Sequence, residues 1–236
     1  MKRLFALVKW DAALQARHHI FTANVVSTLA FCGLVVLIPS ASLSPRVASF
    51  LLFADPALIG LSFVGAAVLM ERGARVNLAL GVTPMSPWEY VASKALVLTC
   101  SGTASGLLVA ATLATRGATM RWGLLLVTLV GANLFAVLLG FVIAAFARSM
   151  NQLMMRLLLA TMVLFAPLLS HFGAAPWWLF APFPSAPILW GLDAASGADL
   201  ALGVLALAAS LLVAWCALVF RRAVGSAAAA VFAATP

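Results

Sequence analysis

The chain has 236 residues, of which 65% are hydrophobic and only 8% are charged. Soluble domains carry about a quarter of charged residues, so this composition excludes a soluble enzyme and a free nucleic-acid-binding domain. The 14 Lys and Arg residues outnumber the 6 Asp and Glu residues and give a net charge of +8. In so apolar a chain, the meaning of these charges depends on where each one lies relative to a bilayer.

Residues 1–19 predict a helix that lies on the membrane surface. Its apolar side chains share one face, while Lys2, Lys9 and Arg17 lie on another side, as in an interfacial helix. The apolar residues are Leu4, Leu7, Val8, Trp10 and Leu14. Asp11 interrupts the apolar stripe, so an ordinary N-terminal extension is the alternative.

Six apolar stretches follow, each close to the ~20 residues that a helix needs to cross a bilayer. They are residues 20–38, 50–70, 91–114, 122–146, 153–171 and 200–220. They are too long for the strands of a membrane barrel, and in lipid a helix satisfies its own backbone hydrogen bonds. We therefore expect an all-α membrane protein with six transmembrane helices in one domain, residues 1–236.

The basic residues indicate the orientation of these spans. If the N-terminus is cytoplasmic, eleven Lys and Arg residues lie on inner segments and three, Arg46, Arg116 and Arg121, on outer segments. Cytoplasmic loops carry the excess of positive charge, so both termini are expected in the cytoplasm. The inner charges also favour contact with anionic lipid.

The inner loop at residues 71–90 is unusually apolar and ends in a strong helix-start signal. Ser86 and Glu89 have the spacing of a capping box, and Pro87 occupies the first helical position, so a helix is expected to begin at Ser86. The preceding apolar and basic residues are Arg72, Arg75, Val76, Leu78 and Leu80. Either a partner protein or the chain's own helix ends and lipid headgroups would cover this segment.

The outer segment at residues 172–199 has no basic residue and is rich in proline and aromatic residues. We expect short broken helices at the outer interface, because irregular backbone at membrane depth needs a cover of protein or a water-filled cavity. The segment is either an outer gate or an aromatic anchor. The candidate gate residues are Trp177, Trp178, Phe183 and Trp190.

Few polar side chains lie deep in the spans, and such residues are functional candidates by default. Asn133, Thr99 and Thr103 are candidates for a transport path, and the alternative is that they bond neighbouring helices. Asp55 precedes Pro56 near the outer side of the second span. It is either a helix N-cap or an acidic residue at the outer mouth of a cavity.

Small residues recur at intervals of four in the third and fourth spans, which allows close helix packing within the bundle or across a dimer. They are Gly102, Gly106, Ala132, Ala136, Gly140 and Ala144. The three Cys and three His residues show no metal-ligand spacing. The spans carry no paired carboxylates and no nucleophile–base arrangement, so we expect neither a metal site nor catalytic residues.

The whole pattern resembles the permease subunits of ABC-type exporters of the type-two (drug and polysaccharide export) superfamily, and is most similar to the fluoroquinolone-export permeases of actinobacteria. The stretch after the second span carries the resemblance: Glu71, Arg72, Gly73, Leu78, Leu80, Thr83, Pro84, residues 86–90 and Lys94. The sequence Arg75-Val76-Asn77 replaces the Thr-(Leu/Ile)-x typical of relatives.

The resemblance implies a transport subunit of a bacterial cytoplasmic membrane with no cofactor and no ATPase site of its own. ATP and Mg would bind a separate ATPase subunit, in two copies, which would dock on the loop and on the N-terminal helix. In agreement, the sequence has no G-x-x-x-x-G-K-[ST] phosphate loop. The coupling residues would be Glu71, Arg72, Arg75, Leu78, Leu80, Thr83, Pro84 and Glu89.

The resemblance also implies that two permease subunits pair, as a homodimer or with a sibling, around a path lined by the second and fifth spans and parts of the first and third. The leading functional hypothesis is ATP-driven export of a hydrophobic or amphipathic compound, such as a drug. A haem-exporter-type subunit of cytochrome c maturation also fits six spans and this length. The scarcity of polar residues in the spans suggests a third hypothesis, a non-transporting assembly or sensor protein.

Overall fold

A computed structural model describes residues 2–17, 19–55, 61–73 and 86–228, and all regular elements within these ranges are helical. The all-α class is therefore confirmed. The α-helices are α1 Lys2–Arg17, α2 Ile20–Leu37, α3 Pro45–Asp55, α4 Leu61–Gly73, α5 Pro87–Thr115, α6 Trp122–Ala145, α7 Met150–Phe165, α8 Leu168–His171, α9 Trp177–Phe180, α10 Ser185–Ala195 and α11 Leu202–Ala227.

Five helical segments of the described residues are long and apolar enough to cross a membrane, and they make the chain a multi-pass membrane protein. These segments are Ile20–Leu37, Pro87–Thr115, Trp122–Ala145, Met150–His171 and Leu202–Ala227. They coincide with five of the six predicted spans. The predicted span at residues 50–70 corresponds to two helices, α3 and α4, and residues 56–60 between them lie outside the described residues. The sixth crossing stays a prediction.

The start of α5 follows the local signal in the sequence. Ser86 is the N-cap and Pro87 the first helical residue. The backbone N–H of Ser86 donates to Glu89 Oε2 at 3.0 Å, and the Ser86 hydroxyl donates to the same oxygen at 2.8 Å. These bonds satisfy donors that an uncapped helix start would leave open, and they confirm the predicted helix start.

Helix α6 is the centre of the bundle and packs against α4, α5, α7, α10 and α11. Its small residues allow this close packing. A Cβ atom added at Gly140 would lie 2.5 Å from the backbone carbonyl oxygen of Leu61 in α4. Ala136 and Ala144 on the same stripe are buried. The small residues of α6 therefore pack against other helices of the same chain, and this face of α6 is not available for a dimer contact.

The two glycines of α5 pack against α6 in the same way. A Cβ atom at Gly102 would lie 2.1 Å from Asn133 Oδ1, and one at Gly106 would lie 2.9 Å from a methyl carbon of Leu129. The G-x-x-x-G motif is thus an intramolecular contact. Helices α5 and α6 together form the buried centre, whereas α2, α7 and α11 expose most of their apolar surface.

Polar side chains meet at two ends of this bundle. At one end, called the charged end below, Asp11 of α1, Glu71 of α4 and Lys94 of α5 come together. At the other end, Ser49 of α3 contacts His171 of α8 and Asp193 of α10. This end is called the hairpin end below, after the segment at residues 172–199 that folds back there. Lys94 lies near the start of α5, and the far end of that helix reaches the hairpin end. The two ends are therefore about 30 Å apart at 1.5 Å per residue.

Candidate functional site

At the charged end, Lys94 forms ion pairs with two carboxylates. Its Nζ atom lies 2.9 Å from Asp11 Oδ1 and also contacts Glu71 Oε1. The hydroxyl of Tyr90 donates to Glu71 Oε2 at 2.7 Å, and the hydroxyl of Ser93 donates to Asp11 Oδ2. Each carboxylate therefore receives one bond from the ammonium group and one from a hydroxyl.

All three charged groups are buried: Asp11 is 5% exposed, Glu71 4% and Lys94 2%. Two carboxylates and one ammonium carry a net charge of −1, which is costly to remove from water unless every charge is paired and hydrogen-bonded. The hydroxyls of Tyr90 and Ser93 supply the donors that a single ammonium cannot. The arrangement is stable only as a complete set, so it fixes the three helices that contribute to it.

The sequence positions these groups by simple helical spacing. Tyr90 and Lys94 are four residues apart in α5 and share one face. Asp11 and Gln15 are four apart in α1, and both are buried, whereas Phe5 is 75% and Trp10 51% exposed. Helix α1 therefore contacts the bundle through polar residues and presents apolar ones outward. This explains why Asp11 interrupts the apolar stripe.

The structure places the predicted coupling residues in three different settings. Glu71 is buried in the ion network and Glu89 caps α5. These two side chains hold helices in place, so neither is a free docking group. Arg72 lies in the last turn of α4, directly before the segment at residues 74–85. Arg75, Leu78, Leu80, Thr83 and Pro84 belong to that segment and lie outside the described residues.

Two of the four predicted path residues lie together. Thr99 and Thr103 line a groove beside α5 with Leu96, Cys100 and Val130, among others. Both hydroxyls are buried and have no hydrogen-bond partner within the described part of the chain. A membrane helix normally satisfies such groups, and the place of Thr99 and Thr103 on a transport path stays a prediction.

The other two predicted path residues are enclosed. Asn133 is fully buried against Gly102, and its amide nitrogen donates to the Leu129 carbonyl at 2.9 Å. Asp55 is 1% exposed and is the last residue of α3. A helix capped by Asp55 would begin at residue 56, and residues 56–60 lie outside the described residues, so the N-cap interpretation of Asp55 stays a prediction. Its burial also differs from the open mouth that the sequence suggested.

The predicted gate residues lie on and between two short helices, α9 and α10. The rings of Trp177 and Trp190 meet edge to face, with centroids 6.1 Å apart. Phe183 contacts Phe180 in the same manner at 5.6 Å. Trp178 is 63% exposed. The aromatic residues thus form two pairs on a folded segment, a geometry that suits a gate or an anchor equally.

A second polar cluster, which the sequence did not predict, joins α3, α8 and α10. His171 Nδ1 lies 3.1 Å from Asp193 Oδ2, and Ser49 Oγ donates to Asp193 Oδ1 at 2.6 Å. His171 Nε2 lies 3.0 Å from the carbonyl oxygen of Arg46 and 3.3 Å from Ser49 Oγ. This Ser49–His171–Asp193 cluster fixes both ends of the 172–199 segment to α3.

The three residue types are those of a serine hydrolase, but their bonds are arranged differently. A nucleophilic serine donates its proton to the imidazole base. Here Ser49 donates to the carboxylate instead, and Ser49 is 0% exposed. The cluster is therefore a structural link and not a nucleophile–base pair.

Sequence reasoning could have found part of the charged end. A carboxylate within an apolar stripe and a lysine just inside a predicted span both need a buried partner, which makes Asp11 and Lys94 a natural pair. The other cluster left no such signal, because Ser49 lies 122 positions before His171 and 144 before Asp193.

Comparison with known proteins identifies the family. The family model of the "Fluoroquinolones export permease protein family" matches residues 2–232. The fluoroquinolones export permease proteins of two Mycobacterium tuberculosis strains, CDC 1551 and H37Rv, are each 36% identical over 98 residues. That alignment covers 42% of this chain and 41% of each relative. From the match along nearly its whole length, the chain belongs to the fluoroquinolones export permease protein family.

Proposed function

We propose that the chain is the membrane-spanning subunit of an exporter powered by a separate ATP-hydrolysing subunit. The cargo is a hydrophobic or amphipathic compound, and a fluoroquinolone is the first candidate because the family and the two relatives carry that name. ATP and Mg bind the partner, and this chain contributes the path and the mechanical link.

The observation that carries the proposal is the buried network of Asp11, Glu71 and Lys94. Glu71 lies two residues before the end of α4, and the segment at residues 74–85 follows directly. A force applied to that segment therefore acts on Glu71, which binds Lys94 of α5, and through Lys94 on Asp11 of α1. Because the ions are buried and mutually paired, the three helices move together or the network breaks, at high cost.

The orientation is part of the proposal. The charged end faces the cytoplasm of a bacterial inner membrane, both termini are inside, and the segment at residues 172–199 lies outside. The excess of Lys and Arg on the proposed inner segments supports this side. At the proposed outer side, the guanidinium of Arg116 donates to the Ile38 carbonyl at 3.1 Å, and Arg121 pairs with Asp199.

Two permease subunits pair across the exposed apolar faces, as a homodimer or with a sibling, and the compound moves between them. Support comes from α2 and α7, most of whose apolar surface has no cover within the described residues. The exposed side chains of α7 are Met154, Met155, Leu158, Leu159, Met162 and Val163. Methionine side chains adapt to differently shaped apolar partners, which suits an exporter of amphipathic compounds.

The test reconstitutes the chain with an ATPase subunit encoded beside it. ATP-dependent accumulation of a fluoroquinolone in inverted vesicles is expected from the complex and not from either subunit alone. In the double variant Arg75→Glu with Leu78→Asp, the permease should still insert in the membrane but lose both the co-purifying ATPase and the export.

The matched control is Arg121→Glu, a charge reversal at the hairpin end, which should leave ATPase binding intact. The proposal is wrong if no ATPase subunit co-purifies and the double variant exports normally. If deletion instead abolishes c-type cytochromes without a change in drug sensitivity, the haem-exporter hypothesis replaces it.

A further inference from the structure

The hydrogen bonds of His171 define its protonation. The Nδ1 atom faces a carboxylate oxygen of Asp193, and Nε2 faces the backbone carbonyl oxygen of Arg46. Neither oxygen can donate a hydrogen bond. The hydroxyl of Ser49 lies 3.3 Å from Nε2 and has two nearer acceptors for its single hydrogen, Asp193 Oδ1 at 2.6 Å and the Arg46 carbonyl oxygen at 3.0 Å, so towards the ring it is an acceptor.

Each ring nitrogen therefore faces acceptors alone. A neutral imidazole carries one N–H and can satisfy only one of the two sides, whereas the imidazolium carries two. The His171 side chain is 3% exposed, so water cannot supply a missing donor. The geometry is complete only when His171 is doubly protonated.

We propose that His171 is a proton-dependent latch that fastens the 172–199 segment to α3. His171 directly precedes this segment and Asp193 lies in its last helix, so their contact closes the base of the segment. Ser49 and the Arg46 carbonyl, both on α3, hold the closed base in place. The consequence for export rests on the proposed function, whereas the latch itself does not.

Loss of a proton opens the latch for two reasons. The attraction between the imidazolium and Asp193 disappears, and one ring lone pair then faces an oxygen lone pair at hydrogen-bond distance. A buried group left without its partner is costly. The charged neighbours from the packed elements are Asp193 on α10, which attracts the imidazolium, and the Arg46 guanidinium on α3, which repels it.

The latch is therefore strongest in acid and loosens as rising pH removes the second proton from the ring. The Asp193 side chain is 16% exposed, which gives protons a route to the cluster. A change of pH on the side of the 172–199 segment thus controls how readily that segment leaves α3.

A cysteine accessibility experiment tests the latch in the full chain. Ala186 lies in α10 and is 2% exposed, so an Ala186→Cys reporter, in a background without Cys32, Cys100 and Cys216, reacts with a maleimide only when the segment opens. An Ala174→Cys reporter at an exposed position corrects for the pH dependence of thiol reactivity. The corrected rate is expected to rise about tenfold between about pH 5.5 and about pH 8.

The substitutions separate a latch from a merely structural contact. His171→Gln and Asp193→Asn should each give fast labelling at both pH values, with the pH dependence gone. Ser49→Ala should raise the rate while it keeps the pH dependence, because the ion pair remains. The matched control is His19→Asn, at an exposed histidine outside the cluster, in a left-handed conformation that Asn tolerates.

The latch is refuted if the corrected rate does not depend on pH, or if His171→Gln keeps the dependence. Should His171→Gln fail to insert in the membrane, Asp193→Asn decides by the same measurement. These outcomes are independent of transport: a pH-dependent rate in a chain that exports nothing contradicts the proposed function and leaves the latch standing.

Discussion

The two ends of the bundle use similar chemistry for different purposes. Each joins three helices through a buried pairing of carboxylate and cation. At the charged end the cation is Lys94, which has two carboxylates and is 2% exposed. At the hairpin end the partner of the carboxylate is His171, a cation only when its ring is doubly protonated, and Asp193 is 16% exposed.

The difference lies in how readily each link breaks. Lysine holds its proton throughout the physiological range and histidine does not. The charged end is therefore a fixed joint and the hairpin end an adjustable one, although both stand on the same buried helices, α5 and α6. The comparison indicates that two properties decide whether a buried ion pair is permanent or pH-dependent: which residue supplies the cation, and whether water reaches the pair.

The largest effect is expected from the substitution Lys94→Met. It keeps the side-chain volume but leaves Asp11 and Glu71 as two buried carboxylates without a cation. We expect a loss of about 3–5 kcal/mol in the free energy of unfolding, measured by titration with denaturing detergent in mixed micelles.

The matched control for Lys94→Met is the neutral triple variant with Asp11→Asn and Glu71→Gln. Because neutral groups of similar shape leave no uncompensated charge, most of the lost stability should return. Wild-type stability in the single variant would show that the carboxylates are not buried as described, and the fixed joint would not exist.

The next largest effect tests the common support of the two ends. In Gly140→Val the new side chain meets the Leu61 carbonyl, a backbone atom that cannot turn aside. Overpacking of this kind should cost about 3 kcal/mol, read from the same unfolding titration, and should loosen both ends together. The control is Gly33→Ala, where no atom lies within 4 Å and a gain of up to about 1 kcal/mol is expected. Equal effects at the two glycines would contradict the α4–α6 contact.

A smaller effect is expected at the hairpin end from Ser49→Ala. The substitution removes one donor to Asp193 and leaves the ion pair with His171 in place. Polar contacts in membrane proteins are worth about 1 kcal/mol, so a loss of that size is expected in the unfolding titration. A loss as large as that of Lys94→Met would abolish the distinction between a fixed and an adjustable joint.

The smallest effect is expected from Arg121→Ala. Arg121 pairs with Asp199 at 3.0 Å, but the two side chains are 52% and 96% exposed. Exposed pairs contribute little, here at most about 0.5 kcal/mol, and less as salt is added. An unfolding titration at low and high salt checks this value, and a clear loss at high salt would mean that the pair is not exposed in the assembled protein.

The sequence predicted the features that depend on residues close together in the chain. Lengths of apolar sequence placed five of the spans, and the spacing of Ser86, Pro87 and Glu89 placed the start of α5, because a helix cap depends on neighbours in the chain. The resemblance to export permeases rested on the stretch around Glu71 and Lys94, and it led to the family that the comparison identified.

The sequence could not predict which distant groups meet. Hydropathy assigned residues 50–70 to one span, whereas the structure describes α3 up to Asp55 and α4 from Leu61 on. It also gave no partner to Asp11 or His171. Choice among distant partners depends on the packing of whole helices, and no window of sequence contains that information.

The outward side of α1 has a mechanical consequence. Phe5 and Trp10 point away from the bundle while Asp11 grips Lys94. If α1 floats in the headgroup layer, as its sequence predicts, these aromatic rings set the depth at which the grip is held. The bundle then cannot move along the bilayer normal without pulling these rings through the headgroups. The thickness of the surrounding leaflet therefore affects the geometry of the Asp11–Lys94 contact.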